Sequence, residues 1–213
     1  MKPEFWHDRW QEGRIGFHQS TVHPDLIKHA DALGIPAKPR VLVPLCGKTL
    51  DLGWLVGQGC EVVGVELTEK AATQYHETAG LTPEITQDGD HAIWRSPGLT
   101  YIVGDVFTAN IGVVDAVWDR AALVALPAEM RTRYTARIRE LLRPGGRLLL
   151  SCFTYDATRP GPPHSITDDE IATHYGHAGK LTLLSTADIL DESPRWREAG
   201  ATFMDEKTWL LER

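Results

Sequence analysis

Residues Val41 to Asp51, Val-Leu-Val-Pro-Leu-Cys-Gly-Lys-Thr-Leu-Asp, constrain the fold more than any other stretch of this chain. An apolar run ends at a single glycine, Gly47, and residues suited to a helix follow. A second apolar run, Glu61 to Val65, closes on the acid Glu66. Strand, glycine turn, helix and a second strand tipped with a carboxylate make the nucleotide-binding half of a doubly wound α/β sheet. In that arrangement the turn lets backbone approach a ligand, and the acid accepts hydrogen bonds from ribose hydroxyls. The turn holds Gly47 alone, without a glycine-rich pyrophosphate loop. A nicotinamide oxidoreductase is therefore disfavoured, and the ligand must be named by the rest of the chain.

The remaining pattern alternates strands and helices, which predicts an α/β class with a largely parallel sheet. Residues 3–33 read as two short helices with an ordered turn around Gly13 and Gly16, and Gly34 to Pro39 as a linker. Strands are expected at Arg40–Leu45, Glu61–Glu66, Leu99–Val103, Val113–Trp118 and Arg147–Phe153, with two more in the tail at Leu181–Ser185 and Thr208–Glu212. Helices are expected over Leu50–Gln58, over Glu69–Thr78 with Thr68 as N-cap and Gly80 as stop, over Pro127–Leu142, and near Asp168–Tyr175. Residues 81–98 suggest a hairpin or a loop excursion. Pro144-Gly145-Gly146 reads as a sharp turn, and Arg159 to Pro163 as a Pro-rich loop.

With 213 residues, the chain is expected to be a single domain over 1–213, in which residues 1–33 form an N-terminal segment and 40–213 the α/β core. A formal net charge of −7 argues against a nucleic-acid or anionic-membrane surface. No apolar run approaches the roughly 20 residues of a membrane span, and the first residues lack a signal-peptide core. Cys46, Cys60 and Cys152 are widely spaced and lie in or beside apolar strands. They read as buried free thiols, which points to a cytoplasmic protein. The run from His164 through Glu170 to His174 and His177 invites a metal. Thr167 with Glu170 spells a capping box instead, and no metal is expected.

Ligands of such sheets bind beyond the carboxyl ends of the strands. The residues there are Leu45, Cys46 and Gly47, then Glu66, then Asp105 and Val106, then Asp119 and Arg120, then Ser151 to Tyr155. Acids at two neighbouring strand tips suit a nucleoside, with Glu66 on the ribose and Asp105 near the adenine edge. The Arg-Pro-Gly-Gly-Arg turn before an apolar strand is frequent in Rossmann-type methyltransferases that use S-adenosylmethionine. Aromatics at residues 6, 10 and 17 would, by themselves, read as pins holding an N-terminal helix to the core. Asp119-Arg120 would read equally well as a surface ion pair.

Phe5-Trp6-His7-Asp8-Arg9-Trp10, Gly16-Phe17-His18-Gln19, Val43-Pro44-Leu45-Cys46-Gly47-Lys48, Gly64-Val65-Glu66, Trp118-Asp119-Arg120-Ala121-Ala122-Leu123 and Pro160-Gly161-Pro162-Pro163 resemble, in order, the blocks of the thiopurine S-methyltransferase family. The short start resembles its bacterial branch. The resemblance implies a class I methyltransferase fold with a seven-stranded, mostly parallel sheet and an N-terminal lid. It implies S-adenosylmethionine as cofactor and S-adenosylhomocysteine as product. By the same resemblance Trp10 packs on the methionine part of the cofactor, Leu45 lies at its amino-acid end, Glu66 holds the ribose, and Asp105 and Val106 hold the adenine, while Gly47 is a cofactor-binding candidate as the turn glycine. Trp6 and Phe17 line the acceptor pocket. Arg120 lies beside cofactor and acceptor, and Asp119 orients the acceptor or takes a proton. A second acceptor-facing arginine of animal members has no clean counterpart, Arg195 and Arg197 being the candidates.

The chemistry so implied suits these residues. A thiolate and a sulfonium combine into two neutral thioethers, so charge disappears in the transition state and a dry site helps. Alignment alone supplies roughly 7–11 kcal/mol of barrier reduction in favourable cases. Aromatic faces near a sulfonium add about 0.5–2 kcal/mol. The expected partner is a small-molecule thiol or metalloid, with neither nucleic acid nor membrane, and the chain is expected to act as a monomer. Methylation of selenium or tellurium compounds, with the tellurite resistance it would confer, is one alternative natural role. A non-catalytic nucleoside-binding protein is a rival from another class.

Overall fold

The structure is a computed structural model that describes residues 3–157 and 161–213. Arg159 and Pro160, the start of the expected Pro-rich loop and of the last family block, lie outside the described residues. The chain divides into two compact units, Met1–Trp118 and Asp119–Arg213.

The first unit begins with three short helices, α1 (Pro3–Gln11), α2 (Pro24–Lys28) and α3 (Ala30–Leu33), where two were expected. The third arises because His29 interrupts the run and Gly34 stops it in the left-handed conformation. Then come β1 (Arg40–Pro44), α4 (Asp51–Gly57), β2 (Glu61–Glu66), α5 (Glu69–Ala79), β3 (Glu84–Asp88), β4 (His91–Ser96), β5 (Leu99–Val103) and β6 (Val114–Arg120), the last two residues of β6 belonging to the second unit. The order β3-β4-β5-β2-β1-β6 puts β1 and β2 in the middle. Both pair in parallel, β1 with β2 and β6, and β2 with β5. Central parallel strands are covered on both faces, so they read as unbroken apolar runs. Val41, Leu42, Val62 and Val63 are fully buried accordingly, each worth about 1.5–3 kcal/mol of transfer free energy. Gly64 interrupts β2 for a packing reason. A Cβ there would stand 3.0 Å from Cys46 Sγ and 3.2 Å from Leu52 Cδ2, so glycine admits the turn and helix that follow β1.

Residues 81–98 form a hairpin rather than a loop. β3 and β4 pair antiparallel around Gly89-Asp90, and β4 continues antiparallel onto β5. Thr68 holds the expected N-cap position of α5, yet its side chain makes no cap bond. Its backbone N–H donates instead to Glu66.

The second unit holds α6 (Ala128–Leu141), β7 (Leu142–Tyr155), α7 (Asp168–Tyr175), β8 (Lys180–Asp188), α8 (Pro194–Glu198) and β9 (Met204–Glu212), with strand order β7-β9-β8 and antiparallel pairing throughout. The expected turn at Pro144-Gly145-Gly146 is part of β7. Gly145 N–H donates to Arg213 O at 2.8 Å and Arg213 N–H to Gly146 O at 3.0 Å, so the end of the chain carries the segment into the sheet. The described residues thus contain nine strands in mixed directions, and the expected seven-stranded, mostly parallel sheet is corrected. The hairpin, one of the two readings open for 81–98, supplies the two additional strands.

Thr167 caps α7 as expected, accepting from Glu170 N–H at 3.2 Å. The Glu170 carboxylate does not return to Thr167 but pairs with Arg131 at 2.7 Å. His174 lies within reach of Glu170, and His177 is in contact with Arg139. Cys46, Cys60 and Cys152 are free and buried. Burial pushes all three thiols above their ordinary value, and at Cys46 the nearby Glu66 carboxylate adds to the effect. No helix among the described residues is long and apolar enough to cross a membrane.

Candidate functional site

The turn after β1 is built from backbone that few residues adopt. Leu45 has φ 48° and Gly47 φ 51°, both left-handed. For leucine that conformation costs on the order of 1–3 kcal/mol, and it persists only where the surroundings fix it. Four hydrogen bonds do so. Cys46 N–H donates to Val65 O at 3.0 Å and Thr49 N–H to Cys46 O at 3.2 Å. Gly47 N–H donates to Glu66 Oε2 at 3.0 Å, and Tyr101 Oη donates to Gly47 O at 2.6 Å. The apolar run of β1 therefore ends in a turn whose direction is set by β2 and β5.

Glu66, at the tip of β2, is buried. Its Oε2 accepts from Gly47 and its Oε1 accepts from Thr68 N–H at 3.0 Å. Burial pushes its carboxyl above the ordinary range, and the backbone donors of Thr68 and Gly47 oppose that rise. Each carboxylate oxygen has a further acceptor site, so both remain able to take a hydroxyl. Gly104 N–H, at the end of β5, donates to Glu66 O at 2.8 Å, which brings Asp105 and Val106 to the same sheet edge. Asp105 is exposed, with Oδ1 accepting from Phe107 N–H at 3.0 Å, whereas Val106 is buried.

Trp10 is the one buried residue of α1, and it covers Gly47. A Cβ at residue 47 would stand 3.3 Å from Trp10 Cζ2, so the indole lies directly on the turn. Phe17 meets Trp10 edge-on at 5.9 Å between centroids and Trp6 at 5.8 Å, and Trp6 meets Phe5 at 5.2 Å. Such edge-to-face pairs contribute about 0.5–1.5 kcal/mol each beyond burial. Trp6 and Phe17 are only partly buried. Trp6, Trp10, Phe17, Leu45, Gly47, Glu66, Asp105 and Val106 thus belong to the first unit, from α1, the turn that follows it and the ends of three neighbouring strands.

Asp119 and Arg120 end β6 and open the second unit. Asp119 is completely buried. Its Oδ1 accepts from Ala122 N–H at 3.2 Å and Leu123 N–H at 3.3 Å, and its Oδ2 accepts from Tyr134 Oη at 2.7 Å. Burial raises its carboxyl to about 6 against these donors. Both carboxylate oxygens of Asp119 are thus engaged with neighbours of its own unit. Arg120 is partly exposed, and Ala121 beside it is left-handed at φ 58°, with its N–H on Ser151 O at 3.1 Å. Arg197 is engaged with Asp191, and the Arg195 guanidinium lies 5.7 Å from the centroid of the Trp196 ring.

Three contributors escape the pattern reading. Tyr101, the lone aromatic of β5, is a buried hydroxyl that needs a partner, and that need is its sequence signal. Asp51 closes the opening motif and is buried; it accepts from His23 N–H at 2.9 Å and from Trp118 Nε1 at 2.8 Å. Its signal is a carboxylate at the head of an apolar helix. Tyr134 has no local signal, since its partner Asp119 is set by tertiary packing.

The family model described as thiopurine S-methyltransferase matches residues 1–213. A thiopurine S-methyltransferase of Xanthomonas campestris pv. campestris (strain 8004) is 45% identical over 219 residues, covering 100% of both chains. One from Pseudomonas fluorescens (strain Pf0-1) is 41% identical over 215 residues, covering 99% of each. Among solved structures, the Burkholderia thailandensis 1,6-didemethyltoxoflavin-N1-methyltransferase, with bound 1,6-didemethyltoxoflavin and S-adenosylhomocysteine, aligns with TM-score 0.63 at 19% identity, over 99% of this chain and 87% of that one. The magnesium protoporphyrin IX methyltransferase of Synechocystis PCC 6803 with bound S-adenosylhomocysteine aligns with TM-score 0.60 at 16% identity, over 99% of this chain and 100% of that one. These two speak to the fold alone.

Proposed function

The chain belongs to the thiopurine S-methyltransferase family, and on that premise we propose that it methylates the sulfur of aromatic or heterocyclic thiols, thiopurines among them, from S-adenosylmethionine. The observation that carries this reading is the buried Glu66 carboxylate, held by Gly47 and Thr68 N–H, with Trp10 lying on the same glycine. That cradle fits the cofactor. Gly47 lets the Trp10 indole lie against the turn, where a Cβ would stand 3.3 Å from Trp10 Cζ2, and Glu66 has acceptor capacity left for a ribose diol. Family membership favours the thiol over the metalloid and nucleoside-binding alternatives.

The cofactor, when bound, would supply an electrophilic methyl group on a sulfonium for transfer to the acceptor thiolate, with S-adenosylhomocysteine as the product. The residues' work is placement and drying. Glu66 fixes the ribose, Leu45 and Gly47 bound the amino-acid end, and Asp105 and Val106 border the adenine. Trp10 supplies an aromatic face toward the sulfonium. Trp6 and Phe17 close over the acceptor as part of a lid, excluding water. Arg120 draws an acceptor that carries negative charge or ring nitrogens. Asp119 acts by holding its neighbours. Heterocyclic thiols ionise readily, and no strong base is required. The whole chain works as one methyltransferase domain, a cytoplasmic monomer in keeping with its free thiols.

A methyl-transfer screen across aromatic thiols, selenite and tellurite, reading S-adenosylhomocysteine formation, tests the assignment. Turnover highest on a heterocyclic thiol is expected. Turnover on metalloids alone would overturn the acceptor class, and calorimetric preference for a nicotinamide dinucleotide over S-adenosylhomocysteine would overturn the reaction.

A further inference from the structure

Two fully buried side chains of the second unit, Tyr134 on α6 and Asp119 at the end of β6, face one another with Tyr134 Oη 2.7 Å from Asp119 Oδ2. The other carboxylate oxygen gathers the N–H groups of Ala122 and Leu123, the start of the helical turn Leu123–Ala125. Between carboxylate and turn the backbone makes its left-handed step at Ala121, whose N–H is tied to Ser151 O on β7. Left-handed alanine is unfavourable unless its surroundings over-determine it. Here the constraints come from Asp119 on one side and Ser151 on the other, and Arg120 is the residue between them.

We propose that Tyr134 is a positioning residue for Arg120: by holding Asp119 it fixes the left-handed step at Ala121 and so the direction in which the guanidinium leaves the strand. The proposal rests on the role given to Arg120 above. A buried tyrosine bonded to a buried carboxylate is a demanding arrangement, because each group left alone would be a costly unpaired polar group. Removing only the hydroxyl leaves the ring to fill its space and frees the carboxylate to shift, which moves the turn without opening a cavity. The partner class is the acceptor thiol, since the cofactor cradle of Glu66, Gly47 and Trp10 is built from other elements.

Tyr134→Phe is the test, with Tyr175→Phe as control. Tyr175 is also fully buried, and its hydroxyl has no hydrogen-bond partner among the described residues. Tyr134→Phe is expected to lower kcat for an aromatic thiol roughly ten- to hundredfold. The S-adenosylhomocysteine dissociation constant and the KM for S-adenosylmethionine should stay at wild-type values. Tyr175→Phe should leave all three unchanged. Asp119→Ala should reproduce the loss, and Asp119→Asn, whose amide oxygen can still accept from Ala122 and Leu123, should restore most of it; this pair carries the test if Tyr134→Phe does not fold. Wild-type kcat in Tyr134→Phe, while Arg120→Ala is impaired, would overturn the proposal and leave the functional reading intact. Wild-type kcat in both would remove Arg120 from the reaction. A loss shared equally by kcat and cofactor affinity would reduce Tyr134 to general packing and overturn the proposal.

Discussion

Gly47 N–H donates to Glu66 Oε2 at 3.0 Å, so the turn after β1 and the acid at the end of β2 are one structural unit. The bond explains how a chain with a single turn glycine keeps a nucleotide cradle. The carboxylate that would meet a ribose also sets the turn that would meet the rest of the ligand. On the proposed reading, function and local stability are therefore coupled at Glu66.

That coupling separates two substitutions. Glu66→Ala removes the ribose acceptor and should weaken S-adenosylhomocysteine by about 1.5–3 kcal/mol, the scale of a hydrogen bond to a charged group. Glu66→Gln turns a side-chain NH2 toward either Gly47 N–H or Thr68 N–H, since both oxygens accept from backbone. Donor against donor should lower stability by about 1–3 kcal/mol in addition to the loss of affinity. Calorimetric titration and urea unfolding read the two effects, and unchanged affinity in folded Glu66→Ala would take Glu66 out of the site.

The N-terminal segment should respond to ligand. Trp10 is the single buried residue of the nine in α1, and Trp6 and Phe17 are only partly covered. Little apolar burial means low local stability, the condition under which active-site lids open. Hydrogen exchange over residues 3–17 should be faster than in β1 and β2 in the free protein and slow markedly with S-adenosylhomocysteine. Equal, strong protection in both states would show a permanently packed helix.

Asp119 should give stability an unusual pH dependence. Its carboxyl is raised from 3.8 to about 6 by burial, so the unfolded chain releases the proton first as pH rises. Stability from this group is thus full below the unfolded value and is lost between about pH 4 and pH 6, by on the order of 3 kcal/mol. The direction is opposite to that of a salt-bridged aspartate. The titrating neighbours facing it, Tyr134, Tyr175 and Cys152, are all raised by burial and stay neutral through this window. Urea unfolding from pH 4 to pH 7 should show a loss in the wild type that is missing in Asp119→Asn. Parallel curves for the two proteins would contradict the buried titration.

The elements legible in the sequence were those whose signal is local. Glu61–Glu66 was read with its observed bounds because a doubly covered strand is an unbroken apolar run. Gly47 and Glu66 followed from their places at strand ends. What stayed hidden depends on distant partners. Pro144-Gly145-Gly146 has the composition of a turn, and only pairing with Arg213 makes it strand. Asp119 at a strand tip reads as exposed, because its burial depends on Tyr134 and on the path of the chain through Ala121. The turn residues of 81–98 leave both a hairpin and a loop open, because every residue of β3 is exposed and no alternation decides between them.

Arg120 provides the sharpest test of the acceptor side. Its position at the end of β6, between buried Asp119 and left-handed Ala121, leaves Arg120 partly exposed on a constrained backbone. A planar fork in a fixed direction suits an anionic or nitrogen-bearing ring, through charge-assisted hydrogen bonds worth about 1.5–3 kcal/mol. Lysine keeps the charge and loses the fork, so Arg120→Lys should retain S-adenosylhomocysteine affinity and lose part of the turnover. Arg120→Ala should lose about ten- to a hundredfold in kcat/KM for a thiopurine. The loss should be smaller for a thiol without ring nitrogens, because less of its binding passes through the fork. Steady-state kinetics on the two acceptors measures the difference. Full activity of the alanine variant on both would leave Arg120 as a structural residue of the strand end.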